Sequence, residues 1–346
     1  QEASKRLNMS TQKTMRLAQE LYEGVTLKGK GSVGLITYLR TDSTRISEEA
    51  DASCREYIAQ QYGEQFVGDK TAVKSSKTGK IQDAHEAIRP TDSSLSPAML
   101  KEQLPRDLFR LYQLIWTRFL ASRMAEAVYE TTSVKIGAGD YRFNVAASKV
   151  KFDGFMTVYS YDSEKSTMNA AMKKITKDTE ITLSGLDPQQ HFTQPPAHFT
   201  EASLVKTLEE LGIGRPSTYA PTITTLLARR YIVKESKNLY ITELGEAVND
   251  MMEDGFPTIV DVNFTANMES LLDGVEEGKV KWKTIVENFY PDMMQAVEKA
   301  EKELEEVKIE DEVSEEVCEE CGRNMVVKYG PHGKFLACPG FPDCRN

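Results

Sequence analysis

A short segment near the start of the chain combines residue types that can attack a phosphodiester. Residues 34–43 have the sequence Gly-Leu-Ile-Thr-Tyr-Leu-Arg-Thr-Asp-Ser, which places Arg40 two positions after Tyr38. If the backbone stays extended, both side chains lie on the same side of it. A phenol is a weak nucleophile at its ordinary pKa, and a nearby guanidinium stabilises both the phenolate and the charge on the phosphate. Phosphodiester attack is therefore the chemistry that this segment suggests.

The ten residues together are more specific than the tyrosine and arginine alone. By themselves, Tyr38 and Arg40 also fit a half-buried strand tyrosine beside a surface arginine. The complete segment resembles the active-site segment of type IA DNA topoisomerases, in which the tyrosine becomes linked to a 5′-phosphate of DNA. The resemblance implies that Tyr38 is the nucleophile and that Arg40 stabilises the phosphate. It also implies ATP-independent relaxation of negatively supercoiled DNA by single-strand cleavage, strand passage and religation.

A second motif, His-Glu-Ala-Ile-Arg-Pro-Thr, occupies residues 85–91. In a helix, His85 and Arg89 would face one phosphate, although Pro90 would end a helix there. A single histidine also fits a purely structural role. The motif resembles a block of the bacterial topoisomerase I family, which implies that His85 lies near the nucleophile and that Arg89 assists DNA binding. Leu39 and the residue after the histidine favour this family over the topoisomerase III relatives.

The third region of interest contains two motifs. Residues 201–206 read Glu-Ala-Ser-Leu-Val-Lys, and residues 212–220 read Gly-Ile-Gly-Arg-Pro-Ser-Thr-Tyr-Ala. The pattern predicts a glycine-containing turn that opens a helix. The first amides of that helix, the guanidinium of Arg215 and the hydroxyls of Ser217 and Thr218 can hold a phosphate. The motifs resemble those of type IA enzymes, which implies that this helix contacts the single strand beside the cleavage site.

The far end of the same predicted helix adds further candidates for DNA binding. Arg229 can neutralise backbone charge, and Tyr231 can stack on a base. For Arg230 we expect a solvated surface charge. None of these three residues is specific without the preceding motif.

Four of the five cysteines have the spacing of a metal site. Cys318 and Cys321 are separated by two residues, and Cys338 and Cys344 by five. Four thiolates in two knuckles fit a tetrahedral structural zinc, and so short a segment with few apolar residues needs such a ligand to fold. The run resembles the C-terminal zinc ribbons of bacterial topoisomerase I, which bind single-stranded DNA.

Other residues of the cysteine-containing segments have less specific roles. His332 is a possible substitute ligand, but its Gly-Pro-His-Gly context favours a surface turn. Tyr329 and Phe335 fit either base stacking or the ribbon core. The fifth cysteine, Cys54, lies on an apolar helical stripe, so we expect a buried small hydrophobe and not a catalytic thiol.

Composition limits the class of protein. The chain has 346 residues, enough for about two to four domains. It begins with Gln1, so we expect a fragment or a processed piece. The sequence lacks an apolar run long enough for a membrane span and lacks a signal-peptide pattern. The cysteine usage indicates a reducing compartment. We therefore expect a cytoplasmic protein without a membrane partner, and the family resemblance implies association with the bacterial nucleoid.

The net charge of −10 is concentrated at one end of the chain. Twelve acidic residues and only three lysines lie between Glu298 and Glu320, so the remainder is nearly neutral. Residues 1–45 contain eight Lys and Arg against four Asp and Glu. The tyrosine segment therefore lies in a locally basic stretch, which is compatible with a nucleic-acid partner.

The pattern predicts a multidomain α+β protein. We expect a helical active-site domain at 1–128, an antiparallel β arch segment at 129–196 and a helical, winged-helix-like DNA-binding domain at 197–300. An acidic linker at 301–316 and a zinc ribbon at 317–346 follow. The winged-helix assignment rests on the order helix, helix, hairpin, which any compact α+β domain can also show.

Periodicity places individual elements within these domains. We expect helices ending at Gly24, capped by Ser47, following Pro105, capped by Thr200 and passing through Trp282. A second helix is expected at 217–229, a hairpin turn at 137–140, a small hairpin at 231–241, further strands at 152–161 and 180–186, and a polar loop at 69–83.

The resemblance also identifies what this sequence lacks. The family cleaves DNA with Mg²⁺ held by an N-terminal acidic domain of the Toprim type, which supplies an Asp-x-Asp pair, a glutamate and a lysine. This pattern does not occur here. Because the metal neutralises charge at the phosphate, we expect that the isolated chain does not relax DNA efficiently. The implied partners are single-stranded and negatively supercoiled DNA, the missing Toprim segment and RNA polymerase.

Three alternatives remain open at this point. The chain can be a non-catalytic single-strand-binding module, because it has the groove motifs and the ribbon but not the Toprim residues. It can be a tyrosine recombinase, which joins to the 3′-phosphate and needs several arginines and histidines in a different order. A general α/β scaffold with a zinc ribbon is the third, which the four family-like blocks disfavour.

Overall fold

The chain contains two compact units. The computed structural model describes residues 1–69, 85–160, 175–176, 179–304, 312–330 and 333–345. One unit comprises residues 1–210 and 214–224, and the other comprises 211–213 and 225–346. Within the described part of the chain, no helix has both the length and the apolar character needed to cross a membrane. The predicted polar loop at 69–83 lies almost entirely outside the described residues.

The first half of unit 1 is helical, as the periodicity predicts. Local capping explains where its helices begin and end: Ser10 Oγ and Ser47 Oγ accept hydrogen bonds from the backbone three residues later, and Gly24 and Gly63 follow the last turns with positive φ. The elements are α1 (Glu2–Leu7), α2 (Thr11–Glu23), β1 (Val25–Leu27), β2 (Gly31–Val33), α3 (Glu48–Tyr62), α4 (Pro97–Leu100) and α5 (Arg106–Ala121).

Helices α2, α3 and α5 enclose the core of unit 1. Leu21, Ile58 and Leu120 are completely buried in it, and Tyr112 donates a hydrogen bond from its buried hydroxyl to Leu95 O at 2.6 Å. Cys54 is also buried there, and burial raises the pKa of its thiol to about 12. The prediction that Cys54 is a buried small hydrophobe is therefore confirmed, and its raised pKa disfavours the reactive thiolate.

A long antiparallel hairpin follows α5, as predicted. Strand β3 (Val128–Ala138) pairs with β4 (Tyr141–Phe152), and Val134 lies opposite Val145. The turn at 139–140 is tighter than the four-residue turn expected from the sequence.

Two further strand predictions in this region are wrong. In place of the strand expected at 152–161, residues 154–157 form a 3₁₀ helix, and residue 161 lies outside the described residues. Gly154, its first residue, has a φ of +49°, and a Cβ there would lie 2.5 Å from the carbonyl oxygens of Ala125 and Glu126, so the position requires glycine. Residues 180–186 have no secondary structure, although their apolar residues alternate. Alternation predicts a strand only where a partner strand satisfies the backbone, and the described residues offer these seven none.

The later elements follow the order helix, helix, hairpin that the sequence predicts. Helices α6 and α7 each contain residues of both units, and the other elements belong to unit 2. The elements are α6 (Glu201–Leu211), α7 (Tyr219–Ala228), β5 (Ile232–Glu235), β6 (Asn238–Ile241), α8 (Glu243–Gly255), α9 (Val262–Glu276) and α10 (Trp282–Glu303). Ser203 N donates to Thr200 Oγ1 at 3.1 Å, which confirms Thr200 as the cap of α6.

A three-stranded antiparallel sheet ends the chain. Its strands are β7 (Glu312–Val317), β8 (Asn324–Gly330) and β9 (Gly333–Ala337), with β8 in the centre. The described parts of the predicted acidic linker at 301–316 are not linker: residues 301–303 belong to α10 and residues 312–316 to β7, while residues 305–311 lie outside the described residues. The described elements therefore show a mixed helix and sheet fold in which every sheet is antiparallel.

Glu201, the first residue of α6, makes a buried contact with the first residue of α2. Its side chain is 3% exposed and accepts hydrogen bonds from Thr11 N at 2.6 Å and Thr11 Oγ1 at 2.8 Å. The carboxylate thereby satisfies one of the N–H groups that a helix leaves unpaired at its start, where the helix dipole also favours negative charge.

We expect Glu201→Ala to lower the free energy of unfolding by about 1–3 kcal/mol, because both Thr11 groups lose their partner in a buried position. Chemical denaturation followed by circular dichroism measures the change. The matched control is Glu210→Ala, which removes only an exposed ion pair with Lys206 and should cost less than about 0.5 kcal/mol. Equal losses for the two variants would contradict this account.

Candidate active site and metal centre

The tyrosine segment is anchored by the apolar residues between its polar ones. Leu35, Ile36 and Leu39 are buried, whereas Tyr38 is half-buried. Leu35 N donates to Leu21 O at 2.8 Å, which ties the segment to the last turn of α2. The phenol of Tyr38 is thus presented from a backbone that is held on the core of unit 1.

The histidine motif lies directly beside the tyrosine segment. Ile36 and Pro90 form an antiparallel bridge, Thr37 N donates to Arg89 O at 2.9 Å, and Thr91 N donates to Leu35 O at 3.0 Å. The motif is therefore extended and not helical, because its backbone groups pair with the tyrosine segment. The helical arrangement considered for His85 and Arg89 is not the one observed.

The hydroxyl of Thr37 sets the register between the two segments. Thr37 Oγ1 donates to Ala87 O at 2.8 Å and accepts from Arg89 N at 2.9 Å. One side chain thereby satisfies a donor and an acceptor of the neighbouring segment. Thr37 was not predicted as a site residue, since a threonine in a β-branched run has the same pattern whether or not its hydroxyl makes such hydrogen bonds.

Two aromatic rings flank Tyr38. The imidazole of His85 stacks on it, with ring centroids 5.0 Å apart and an angle of 28° between the planes. Tyr22, at the end of α2, contacts it edge-on at 5.6 Å and 73°. The predicted proximity of His85 to Tyr38 is thus present in the structure. Tyr22 was not predicted as a site residue, because its position near the end of α2 fits an apolar helix face equally well.

The two arginines near Tyr38 differ in environment. The chain bends at Leu39 and Arg40, so the extended backbone that would align Arg40 with Tyr38 is interrupted, and the Arg40 side chain is exposed. The Arg89 side chain is only 13% exposed and pairs with Glu86, with Nε and Nη2 each 2.8 Å from Oε2. Arg89 therefore contacts its own segment, and its contact with DNA stays a prediction.

The ion pair with Arg89 lowers the pKa of Glu86. Burial acts to raise the pKa of the Glu86 carboxyl, but the hydrogen bond and the charge of Arg89, with smaller contributions from a backbone hydrogen bond of Ser47 and the charge of Arg45, outweigh burial and hold that pKa below its ordinary value. The ion pair thus joins positions 86 and 89 of the motif, directly after His85.

The glycine-containing turn before α7 is built around Thr218. Arg215 N donates to Thr218 Oγ1 at 2.9 Å, and Thr218 N donates to Arg215 O at 2.8 Å. Gly214 has a φ of +77°, and a Cβ there would lie 3.0 Å from Thr218 Oγ1. Ser217 is exposed. The three predicted phosphate contacts, Arg215, Ser217 and Thr218, therefore share one turn, although the Thr218 hydroxyl is already used within it.

The candidates after α7 lie in the turn that follows the helix. Helix α7 ends at Ala228, so Arg229 and Tyr231 lie beyond its last turn, with Arg229 exposed and Tyr231 half-buried. Arg230 is half-buried with a φ of +60°, and its carbonyl accepts a hydrogen bond from Thr242 Oγ1 at 2.6 Å. Its backbone thus has a structural role in closing the end of α7, and the solvated surface charge expected at Arg230 stays a prediction.

The four C-terminal cysteines converge on one point. Their sulfur atoms all lie within 4.8 Å of one another, with Cys318 and Cys344 3.6 Å apart and Cys321 and Cys338 3.2 Å apart. A tetrahedral zinc with Zn–S bonds of about 2.3 Å requires sulfur separations of roughly 3.8 Å, which this cluster brackets. The residues therefore fit a structural zinc ion.

The ribbon backbone explains the convergence. Cys318 follows β7 and Cys338 follows β9, so the sheet brings the two knuckles together, and Gly340 N donates to Cys338 Sγ at 3.3 Å. Phe335 is exposed, which favours a surface ring over a place in the ribbon core. His332 and the side chain of Tyr329 lie outside the described residues.

Comparisons with known proteins agree with this geometry. A family model described as DNA topoisomerase matches residues 1–287, and one described as topoisomerase DNA binding C4 zinc finger matches residues 315–346. The chain belongs to the bacterial type IA DNA topoisomerases, and within them to the topoisomerase I family.

A solved structure supports this assignment. Full-length topoisomerase I from Thermotoga maritima is 36% identical, with a TM-score of 0.70. The match covers 98% of this chain and 54% of that chain, so this chain spans about half the length of the relative.

We expect Thr37→Val to lower the free energy of unfolding by about 1–3 kcal/mol, because Ala87 O and Arg89 N lose their shared partner. Thr37→Ser keeps the hydroxyl and should retain most of the stability. Chemical denaturation measures both variants, and NMR shifts of the His85 ring report whether it still stacks on Tyr38. A serine variant as damaging as the valine variant would contradict the role of the hydroxyl.

We expect one equivalent of zinc in freshly purified, reduced protein, measured by elemental analysis. Cys338→Ser should lower the content well below one equivalent, because three thiolates hold the ion less tightly than four. Cys54→Ala is the matched control and should leave the zinc content unchanged. A wild-type content clearly below one equivalent would count against the metal centre.

Proposed function

We propose that this chain is the tyrosine-bearing part of an enzyme that relaxes negatively supercoiled DNA without ATP, through a transient 5′-phosphotyrosine link. The observation that supports this most directly is the position of Tyr38, held on the core of unit 1 between the rings of His85 and Tyr22. Membership of the type IA family supplies the reaction class.

The proposed step exchanges one ester for another. Tyr38 Oη loses its proton and attacks the phosphorus, a Tyr–O–P bond forms, and the bond from phosphorus to the 3′-oxygen breaks. The 3′-oxygen takes up a proton and becomes a hydroxyl. After strand passage that hydroxyl attacks the tyrosyl phosphate and restores the original bond. The ester keeps the energy of the broken bond, so ATP is not needed.

The neighbouring groups have distinct proposed roles. Arg40 stabilises negative charge on the phosphate, and its exposure leaves room for DNA to approach it. His85 assists at the nucleophile. Arg89, through its ion pair with Glu86, positions the His85 segment and adds positive charge near the strand.

Other residues are proposed to hold the DNA strand. Arg215 and Ser217, at the turn before α7, contact phosphates, with Thr218 shaping that turn. Arg229 adds backbone charge, and Tyr231 adds a stacking surface. The zinc ribbon binds single-stranded DNA in the same proposal.

In this proposal Mg²⁺ is held by a separate Toprim segment, as the family resemblance implies. Among the described residues, the group of three or more His, Cys, Asp or Glu side chains close enough to share a metal is the cysteine cluster, whose soft thiolates suit zinc and not Mg²⁺. The division into helical, arch, winged-helix-like and ribbon domains, RNA polymerase as a partner and a nucleoid location belong to the same proposal, supported by the family resemblance.

We expect the isolated chain not to relax plasmid DNA efficiently, and we expect a covalent adduct when the N-terminal part of the Thermotoga enzyme and Mg²⁺ are added in trans. The adduct should join Tyr38 to the 5′-phosphate of an end-labelled oligonucleotide, identified by peptide mapping. Tyr38→Phe should abolish it, because the nucleophilic oxygen is gone. Tyr141→Phe, an exposed hairpin tyrosine, is the matched control and should not affect it.

Other outcomes separate the alternatives. An adduct to the 3′-phosphate would identify recombinase-type chemistry. DNA binding without any adduct would favour a non-catalytic single-strand-binding protein over the enzyme. Robust relaxation by the isolated chain would contradict the need for a separate metal-binding segment.

A further inference from the structure

A basic and aromatic surface lies where α9 is followed by α10. Residues 278–283 have the sequence Gly-Lys-Val-Lys-Trp-Lys, and residues 278–286 contain no acidic side chain. All three lysines are exposed, and Trp282, the first residue of α10, is 59% exposed. In a chain with a net charge of −10, this is a local concentration of positive charge beside an accessible indole.

The indole is on the outer face of α10. Ile285 is buried, and Phe289 packs on Phe264 of α9 with ring centroids 5.8 Å apart, which defines the inner face of the helix. The outer face of α10 contains three exposed apolar side chains at intervals of four residues, namely Trp282, Val286 and Tyr290. Residues four apart lie above one another on a helix, so two exposed aromatic rings share one stripe.

The turn that joins α9 to α10 has an ordered backbone, because hydrogen bonds within the turn hold it. Lys279 N and Val280 N both donate to Gly274 O, at 2.9 and 3.0 Å, and Gly278 turns the chain with a φ of +72°. Lys283 Nζ lies 5.8 Å from the indole centre, and Lys279 Nζ pairs with Glu277 at 3.1 Å. The lysines and the indole are therefore presented together from an ordered turn, which reduces the entropy lost on binding.

We propose that this surface, residues 278–283 with Tyr290, is a binding site for single-stranded DNA. One base stacks on the indole of Trp282, and Lys281 and Lys283 neutralise the adjoining phosphates. Rings with interleaved lysines are the combination that single strands recognise, since every base has a π-face and every linkage a charge. Lysine is depleted in the cores of protein interfaces, which disfavours a protein occupant. The choice of DNA as ligand rests on the proposed function.

The chain provides its own optical probe for this site. It contains two tryptophans, and Trp116 is 4% exposed, with Nε1 donating to Ser93 O at 3.0 Å. Any change in indole fluorescence on adding an oligonucleotide therefore reports mainly on Trp282. We expect oligo-dT to quench the emission of the wild-type chain. An abasic strand of equal length supplies phosphates without bases and should bind with little quenching.

Variants separate stacking from charge. Trp282→Phe should remove the quenching, and Trp282→Ala should weaken oligo-dT binding about tenfold, because a stacking surface is lost. Lys281→Gln combined with Lys283→Gln should lower the slope of log affinity against log salt by about 1.4, for two lost phosphate contacts. Lys299→Gln is the matched control on the same helix; Lys299 is exposed and pairs with Glu303, so the slope should stay unchanged.

The outcomes distinguish this site from the proposed function. Unchanged Trp282 fluorescence and unchanged affinity of Trp282→Ala, while labelled oligo-dT still binds the chain, would overturn the site and leave the phosphotyrosine chemistry intact. Concentration-dependent self-association that Trp282→Ala abolishes, without quenching by DNA, would also overturn it in favour of a protein contact. Loss of the 5′-adduct with quenching retained would instead contradict the proposed function alone. Circular dichroism should show that these exposed substitutions leave the fold unchanged.

Discussion

The environment of the candidate nucleophile depends on one backbone pairing between segments about fifty residues apart. Residues 35–37 and 89–91 exchange main-chain hydrogen bonds, and the Thr37 hydroxyl adds two more. Closing a loop of this length costs conformational entropy, which the buried side chains around Leu35 and Ile36 offset. With this pairing formed, the imidazole of His85 stacks on the phenol ring of Tyr38.

Helix α2 connects several distant parts of unit 1 through contacts at its two ends. Its first residue, Thr11, donates a hydrogen bond to the buried carboxylate of Glu201. In its last turn, Leu21 O accepts a hydrogen bond from the tyrosine segment, and the ring of Tyr22 contacts Tyr38. A helix of 13 residues is about 20 Å long and stiff on this scale. The start of α6 and the tyrosine segment are thus both held in place by contacts with the same rigid helix, α2.

Local charge, and not net charge, decides how this chain can meet an anionic polymer. The net negative charge is concentrated between Glu298 and Glu320, whereas the tyrosine segment and the turn at 278–283 lie in locally basic stretches. Because exposed charges are screened over about 8–10 Å in physiological salt, an acidic segment does not cancel a basic surface beyond that distance.

The zinc ribbon is also stabilised locally. Four thiolates and a metal ion replace the apolar core that so short a segment cannot form.

The sequence by itself determined the features that depend on neighbouring residues. Ser47 and Thr200 cap helices, Gly24 ends one, the hairpin around Val134 pairs as its alternation predicts, and the cysteine spacing places four sulfurs together. The type IA motifs likewise identified the family, because each is a short contiguous run. These features need only the chemistry and spacing of residues close in the chain.

The tertiary structure decided the features that depend on partners distant in sequence. It showed an extended His85 segment, the Arg89–Glu86 pair, the edge of Tyr22 on Tyr38 and an exposed Trp282. It also replaced an expected strand by the 3₁₀ helix at Gly154, where close backbone approach demands glycine. Periodicity shows that a helix or strand has an apolar face, but only the folded chain determines what that face contacts.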